Sequence, residues 1–203
     1  MSIETGAYVA AYLREAEQIC AKLPRETIAK IVEGLAELRA AGGRLFFLGV
    51  GGSAANASHA VNDFRKIANI ESYTPTDNAA ELTARVNDEG WNSSYAKWLR
   101  VSKIGPQDAV FVLSVGGGDA ERKVSVNLIE AIRAAREAGA KVYAIAGRDG
   151  GYAAKAADAC VIVPVVNSAT VTPHTEAFQA VILHLIVSHP LLLANAMKWE
   201  SIK

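Results

Sequence analysis

The chain opens with two stretches in which apolar residues recur at helical spacing. Tyr8 and Ile19 belong to the first stretch, and Pro24 interrupts the pattern before the second. A glycine pair at 42–43 then ends the second stretch, as is typical of a helix C-terminus. The pattern predicts two leading helices within residues 5–41. Their apolar stripes must be buried, and a neighbouring subunit is one candidate for covering them.

From residue 44 onward, short continuous apolar runs alternate with helical segments. The runs are typical of strands covered on both faces of a parallel sheet, and they are Leu45–Val50, Ala109–Ser114, Val142–Ala146 and Cys160–Val165. The helices predicted between them cover about residues 53–68, 77–86, 91–102, 120–138 and 151–157. This alternation predicts one α/β domain with a doubly wound parallel sheet over residues 1–203. It divides into a helical lead-in (1–42), an α/β core (43–190) and a C-terminal tail (191–203) that carries Trp199.

Charge and cysteine content exclude several classes of partner. The chain has 21 basic and 21 acidic side chains and no basic tract, so we expect neither nucleic acid nor a membrane as partner. Its first residues do not resemble a signal peptide. Two cysteines, Cys20 and Cys160, cannot form a disulfide framework, and we expect both to be buried apolar residues. These features predict a cytoplasmic protein.

The segment after the first predicted strand carries the clearest chemical signal. Gly51, Gly52 and Ser53 lie where a strand would end and a helix would begin, so their backbone amides could bind an anion. His59 and Asp63 follow four residues apart and therefore share a helix face. Three of the four predicted strand exits are rich in glycine, and strand exits meet at one edge of a parallel sheet. The pattern favours a site for a phosphorylated small molecule.

Several motifs together resemble the sugar isomerase (SIS) domain family, and most closely its sedoheptulose 7-phosphate isomerases, also called phosphoheptose isomerases. The motifs are the glycine-serine segment Gly49–His59, the segments Asn87–Trp91 and Gly147–Gly151, and the C-terminal helix Thr172–His189. The resemblance implies a three-layer, flavodoxin-like α/β fold with five parallel strands. It also implies a homotetramer with active sites between subunits, and the interconversion of ketose and aldose phosphates.

The same resemblance implies a set of catalytic and metal-binding residues: His59, Asp63, Glu176 and His184. Such a set suits Zn²⁺ or another divalent ion. By position, Asp63 is the expected base and His184 its acid partner. Glu176, at the position of a family glutamine, is the alternative base. Eight helical residues span about 12 Å, so Glu176 and His184 could share one ion only if the helix begins after Glu176 or if they belong to different subunits.

The glycine-rich loops and the resemblance together give a candidate substrate-binding set, in which Thr172 would replace a missing hydroxyl group: Gly51, Gly52, Ser53, Asn87, Asp88, Ser114, Gly116, Gly117, Gly118, Asp119 and Thr172. The second glycine-rich loop departs from the family, because it lacks most of the expected hydroxyl groups and contains Asp119. We expect Asp119 to cap the helix that follows it. The sequence leaves open which cations would face a phosphate, and the candidates are Arg85, Arg122, Lys123 and Arg148.

Three functional hypotheses follow from these residues. The first is a metal-assisted isomerase that converts sedoheptulose 7-phosphate into a heptose 7-phosphate through an enediol. The second is the same chemistry on a different sugar phosphate or a nucleotide-linked sugar, because the second loop is altered. The third is a regulatory SIS module that binds a sugar phosphate or a protein partner without catalysis. The four metal-capable residues favour an enzyme.

Overall fold

A five-stranded parallel sheet forms the centre of the computed structural model, which describes residues 4–196. The strands are β1 (Leu45–Leu48), β2 (Ser72–Tyr73), β3 (Ala109–Ser114), β4 (Lys141–Ala146) and β5 (Ala159–Ile162). Their order is β2-β1-β3-β4-β5, and all neighbours pair in parallel. This confirms the predicted α/β sheet. The apolar pattern missed β2, because two residues are too short to produce a recognisable run.

Helices connect the strands and cover both faces of the sheet. They are α1 (Thr5–Lys22), α2 (Arg25–Ala40), α3 (Gly52–Lys66), α4 (Ala79–Glu89), α5 (Trp91–Val101), α6 (Val126–Glu137), α7 (Gly151–Ala156) and α8 (Val171–Val187). The two leading helices separate at Pro24, as predicted. The largest difference is at α6, which begins at Val126 rather than near residue 120.

The two faces of the sheet carry separate hydrophobic cores. Helices α2, α3 and α8 pack on one face, and α5, α6 and α7 pack on the other. Along β3, Phe111 and Leu113 belong to the first core, while Val110 and Val112 belong to the second. Because both faces are covered, the strand sequences are apolar throughout rather than alternating. Side chains of α3 and α8 therefore meet on one side of the sheet, and α6 and α7 meet on the other.

The two leading helices are covered to different extents. Helix α2 buries its apolar stripe within its own chain, through Ile28, Ile31, Val32, Leu35 and Leu38. Helix α1 buries only Ile19, while the large side chains of Tyr8, Val9 and Leu13 are exposed. Of the two leading helices, α1 is therefore the one whose apolar side chains are left uncovered.

Glu15 fastens the C-terminal half of α1 to the segment that leads into α8. Its carboxylate accepts hydrogen bonds from Asn167 Nδ2 (2.6 Å) and Thr170 Oγ1 (2.8 Å), and lies 2.8 Å from His174 Nε2. These donors, Asn167 first, lower the pKa of Glu15. The ring of Tyr12 stacks on His174 with centroids 4.2 Å apart. The contacts fix α1 against the start of α8.

The expectation that both cysteines are buried is wrong for Cys20, which is exposed on α1. Cys160 is half-buried, and burial raises the pKa of its thiol to about 12. The two thiols are not bonded to each other. Within residues 4–196, no helix combines the length and apolarity that a bilayer span requires. Trp199, for which we considered a role in the tail, lies outside the described residues.

Candidate active site and metal centre

The first glycine-rich loop connects β1 directly to α3. Gly51 adopts a φ of 63°, which favours glycine, and the helix begins at the next residue. Ser53 is buried, and its hydroxyl accepts a hydrogen bond from Gln179 Nε2 (3.0 Å). Asn56 Nδ2 donates to Gln179 Oε1 (3.0 Å) and to the Glu176 carbonyl (2.9 Å). This network joins the start of α3 to α8 and fixes the angle between the two helices.

Tyr95 supports the same loop from the opposite face of the sheet. Its side chain is fully buried, and its hydroxyl donates to the Gly49 carbonyl oxygen at 2.7 Å. Burial raises the pKa of Tyr95 to about 12, so its hydroxyl stays protonated and remains a donor at neutral pH. The exit of β1 is thereby held from both helical layers.

Two histidines and an aspartate converge where α3 meets α8. His59 Nε2 lies 3.1 Å from Asp63 Oδ2 and 2.9 Å from His184 Nε2, and His184 Nε2 lies 3.4 Å from the same carboxylate oxygen. Asp63 is buried, whereas both imidazole rings are about half exposed. The other carboxylate oxygen of Asp63 accepts a hydrogen bond from Asn62 Nδ2 at 3.0 Å. We call His59, Asp63 and His184 the triad.

The triad has the chemistry and spacing of a divalent metal site. One ligand atom from each residue lies within 4.8 Å of the other two. Ligand atoms around a tetrahedral zinc ion lie about 3.3 Å apart, given the usual metal–ligand distances. Two imidazole nitrogens and a carboxylate oxygen also leave a fourth position open, as in catalytic zinc sites. A buried carboxylate requires a positive partner, which a metal ion or a protonated imidazole would provide. The residues therefore fit Zn²⁺.

Glu176 lies apart from the triad of its own chain. It shares the continuous helix α8 with His184, so the possibility that the helix begins after Glu176 is wrong. Its carboxylate instead lies beside the first glycine-rich loop, where a methyl group added to Gly52 would come within 2.5 Å of Oε2. An ion shared by Glu176 and His184 would therefore need two subunits.

The second glycine-rich loop, Gly116–Gly118, is hydrogen-bonded to the first turn of α7. The amides of Tyr152 and Ala153 donate to the carbonyl oxygens of Gly118 and Gly117, each at 2.9 Å. The hydroxyl of Ser114 accepts from the Gly117 amide at 3.0 Å and is buried. Ser114 thus shapes the loop.

The prediction that Asp119 caps a helix is wrong. Asp119 Oδ1 accepts hydrogen bonds from the amides of Glu121 (3.0 Å) and Arg122 (2.9 Å), far from the start of α6 at Val126. Asp119 and Val124 also exchange two backbone hydrogen bonds of 3.0 and 2.9 Å. The carboxylate therefore stabilises the turn of a small hairpin, which we call the 119–124 hairpin.

The remaining predicted substrate residues lie on exposed surfaces. Asn87 and Asp88 end α4, where Asn87 Nδ2 donates to Asp88 Oδ1 at 2.7 Å. Thr172 is exposed in the first turn of α8. Across residues 4–196, no hydrogen bond or ion pair of His59 or Asp63 reaches these three side chains.

Sequence reasoning missed two residues that organise the site, Asn56 and Gln179. A usable signal was present for Asn56, because Asn56, His59 and Asp63 occupy positions i, i+3 and i+7 of one helix face. Gln179 gave no comparable signal, because its partners are more than 120 residues away.

Comparisons with known proteins identify the family of this chain. The SIS domain family matches residues 7–147. Among characterised proteins, the phosphoheptose isomerase of Rhodospirillum rubrum is 35% identical over 157 residues, covering 74% of this chain and 77% of that protein. The lincomycin biosynthesis protein LmbN of Streptomyces lincolnensis is 34% identical over 166 residues, covering 77% of this chain. The match spans only 57% of the Streptomyces protein.

Among solved structures, phosphoheptose isomerase GmhA from Neisseria gonorrhoeae superposes with a TM-score of 0.78 at 25% identity, covering 90% of this chain and 97% of that one. This similarity extends over both helical layers and the sheet. The expected three-layer fold and the expected family are both confirmed, and two of these three relatives are named phosphoheptose isomerases. The chain belongs to the SIS domain family, in the group that includes the phosphoheptose isomerases.

Proposed function

We propose that this protein is a sugar-phosphate isomerase that interconverts sedoheptulose 7-phosphate and a heptose 7-phosphate. The observation that carries the proposal is that His59, Asp63 and His184 converge on the helix that begins at the first glycine-rich loop, whose amides could bind a phosphate. An aldose–ketose isomerase must move a proton between two carbons and stabilise charge on their oxygens. The triad offers a carboxylate and two imidazoles for this chemistry.

The distance between the two ends of the site suits a seven-carbon substrate. Gly52 begins α3 and His59 lies seven residues later, which corresponds to about 10 Å along the helix axis. An extended sugar phosphate with seven carbons has a similar length. Amides at a helix N-terminus favour a phosphate group. The phosphate would therefore bind near Gly52 while the carbonyl end reaches the triad.

The chain's own residues take distinct roles in this proposal. Asp63 transfers the proton between the two carbons, since its buried carboxylate is held in place by Asn62 and faces both imidazoles. His184 donates and accepts protons at the substrate oxygens when its Nε2 carries no metal ion. His59, Asp63 and His184 would hold the metal, and Zn²⁺ bound there would polarise the carbonyl and the adjacent hydroxyl group.

Glu176 would act next to the phosphate or in a neighbouring site. Its carboxylate lies beside Gly52, where it repels a phosphate that binds to the same loop. Replacement by Gln removes the charge but keeps the shape. We expect Glu176→Gln to lower KM and to retain most of kcat, as measured by steady-state turnover. A loss in kcat of about 100-fold or more would instead identify Glu176 as the base.

We further propose that the protein works as a homotetramer in the cytoplasm. Exposed apolar side chains lie on α1 and α8, and those on α8 are Val181 and Leu185. Since α8 also carries Glu176 and His184, a subunit packed on it would lie close to the triad. Two thiols that form no disulfide are consistent with a reducing compartment.

Metal analysis combined with turnover tests the proposed function. The full-length protein is assayed with sedoheptulose 7-phosphate before and after chelation, and its zinc content is measured by mass spectrometry. We expect bound zinc, turnover that chelation abolishes, and loss of both in His59→Ala. The matched control is His189→Ala, because His189 lies beyond the end of α8 and outside the triad. It should retain both.

The other outcomes separate the alternatives. Bound zinc without turnover would retain the metal site and indicate another sugar phosphate as substrate. Turnover that survives complete chelation would leave Asp63 and His184 as an acid–base pair that needs no metal. Absence of both zinc and turnover would refute the proposed metalloenzyme and favour a regulatory SIS module.

A further inference from the structure

A series of hydrogen bonds leads from the backbone of α8 to the first glycine-rich loop. Asn56 Nδ2 donates to the Glu176 carbonyl oxygen at 2.9 Å and to Gln179 Oε1 at 3.0 Å. Gln179 Nε2 donates in turn to Ser53 Oγ at 3.0 Å. Both Gln179 and Ser53 are buried. We call the side chains of Asn56, Gln179 and Ser53 the amide network, and it ends at the loop where a phosphate would bind.

The Glu176 carbonyl group determines the direction of every hydrogen bond in the amide network. A backbone carbonyl oxygen can only accept, so the group of Asn56 that faces it must be the NH2 group. The two hydrogens of that group are then used, one on the Glu176 carbonyl and one on Gln179. Gln179 must therefore present its oxygen to Asn56 and its NH2 group to Ser53, because the reverse orientation would bring two NH2 groups together.

Ser53 is thereby made an acceptor towards α8, and its own hydrogen remains available. A hydroxyl group has one hydrogen and two lone pairs, and Gln179 occupies a lone pair. Within residues 4–196, this is the only hydrogen bond that the Ser53 hydroxyl makes. Ser53 lies in the first turn of α3, whose backbone amides have no acceptor within the helix. A hydroxyl donor and amide donors therefore belong to the same helix end.

The orientation of this one hydroxyl group matters because a carboxylate lies beside the same loop. Glu176 is adjacent to Gly52, where its charge opposes the binding of a phosphate. Hydrogen bonds to a charged acceptor are stronger than those between neutral groups, so a donor held towards the phosphate offsets part of that repulsion. Without Gln179 the Ser53 hydroxyl would rotate freely, and its hydrogen would face the phosphate only part of the time.

We propose that Gln179 is a positioning residue for the substrate phosphate, because together with Asn56 it holds the Ser53 hydroxyl as a hydrogen-bond donor to that group. Gln179 is fully buried behind Ser53 and acts only through it. The inference rests on the proposed function in one respect, which is that the phosphate binds at the first loop. It depends neither on the triad nor on turnover.

A double-mutant cycle with inorganic phosphate as the probe tests the amide network. The full-length protein is titrated with phosphate at ionic strength matched with sodium chloride, and the Kd is taken from the slowing of hydrogen–deuterium exchange in peptides covering 49–63. We expect Gln179→Met and Ser53→Ala each to raise this Kd about 10-fold, the loss of one hydrogen bond to an anion. The double variant should bind phosphate as Ser53→Ala does, because Gln179 then has no hydroxyl to position.

The matched control is Gln107→Met, the same substitution at an exposed glutamine that precedes β3, and it should leave the Kd unchanged. Turnover gives a second readout. Gln179→Met should raise KM for sedoheptulose 7-phosphate and keep kcat within about twofold, because it weakens binding at the phosphate end and leaves the triad intact. A purely structural loss would lower kcat as well.

Thermal denaturation confirms that each variant is folded, and Asn56→Asp replaces Gln179→Met if that variant does not fold. The new carboxylate would accept from Gln179 Nε2, so the Gln179 oxygen would face Ser53 and take up its hydrogen. We expect a higher phosphate Kd here too. The added charge also contributes, so the rise should be smaller, though not absent, when Ser53 is already alanine.

Three outcomes would overturn the proposal. They are an unchanged phosphate Kd in Gln179→Met, losses that add fully in the double variant, and no phosphate protection of peptides covering 49–63 in the unchanged protein. Full additivity would mean that Gln179 only packs α8 against α3. If phosphate binds as expected but sedoheptulose 7-phosphate is not turned over, the amide network is retained and the isomerase activity alone is refuted.

Discussion

The contact between α3 and α8 differs from the β3–α6 connection in how each uses its polar residues. At the helix contact, one potential metal-ligand atom from each of His59, Asp63 and His184 lies within 4.8 Å of the other two, and both imidazole rings are about half exposed. In the connection, Ser114 and Asp119 bond to backbone amides of their own loop. Rigid helices can hold side chains in position for a ligand, whereas a long loop must first satisfy its own backbone. An aspartate therefore serves a ligand site in one region and its own loop in the other.

The largest expected effect comes from removing the carboxylate of the triad. We expect Asp63→Asn to reduce kcat/KM for sedoheptulose 7-phosphate by about 1000-fold or more and to release the metal, because the triad loses its only carboxylate. Turnover and zinc content are measured together. Glu137→Gln, at an exposed carboxylate that pairs with Arg100, is the control and should change neither. Full activity and zinc in Asp63→Asn would disprove the function assigned to the triad.

A pair of glycine variants tests whether the packing of the β3–α6 connection against α7 stabilises the fold. A methyl group added to Gly151 would collide with the Gly116 carbonyl oxygen and lie 2.5 Å from that of Gly118, at a φ of 50°. The same group added to Gly116 meets nothing within 4 Å. We expect Gly151→Ala to lower the free energy of unfolding by about 2–4 kcal/mol, and Gly116→Ala to change it by less than about 0.5 kcal/mol. Urea denaturation measures both, and equal losses would contradict the packing described for this loop.

Tyr95→Phe tests the support beneath the first loop. It leaves the buried Gly49 carbonyl without its 2.7 Å hydrogen bond. We expect a loss in stability of about 1–2 kcal/mol and a higher KM, because the loop at the start of α3 becomes less well positioned. Steady-state kinetics and urea denaturation give the two values. An unchanged KM would show that the loop is positioned from α8 alone.

The smallest effect is expected at the 119–124 hairpin. Asp119→Ala removes two hydrogen bonds to backbone amides at a largely exposed turn, so we expect less than about 1 kcal/mol of destabilisation. Limited proteolysis should nevertheless cleave the hairpin faster than in the unchanged protein, because its turn opens more often. Unchanged cleavage would mean that the backbone bonds between Asp119 and Val124 suffice to hold it.

The fold was predictable because its signals are local. Continuous apolar runs marked β1, β3, β4 and β5, since a strand covered on both faces needs apolar residues at every position. Pro24 marked the break between α1 and α2 for an equally local reason, because proline cannot continue a helix. The prediction failed where the pattern was too short, as at β2, or where a long connection was taken for helix, as before α6.

The sequence alone determined that His59 and Asp63 share a helix face, because helical spacing sets the positions of residues four apart. The family resemblance implied that His184 joins them, but no spacing in the chain shows it. The tertiary structure brings His184 there across 125 residues and places Glu176 at Gly52 instead. Such placements depend on how helices pack over a twisted sheet, and contacts between distant segments produce no periodic pattern in the sequence. Local geometry could therefore be derived from residue spacing, and the meeting of distant side chains could not.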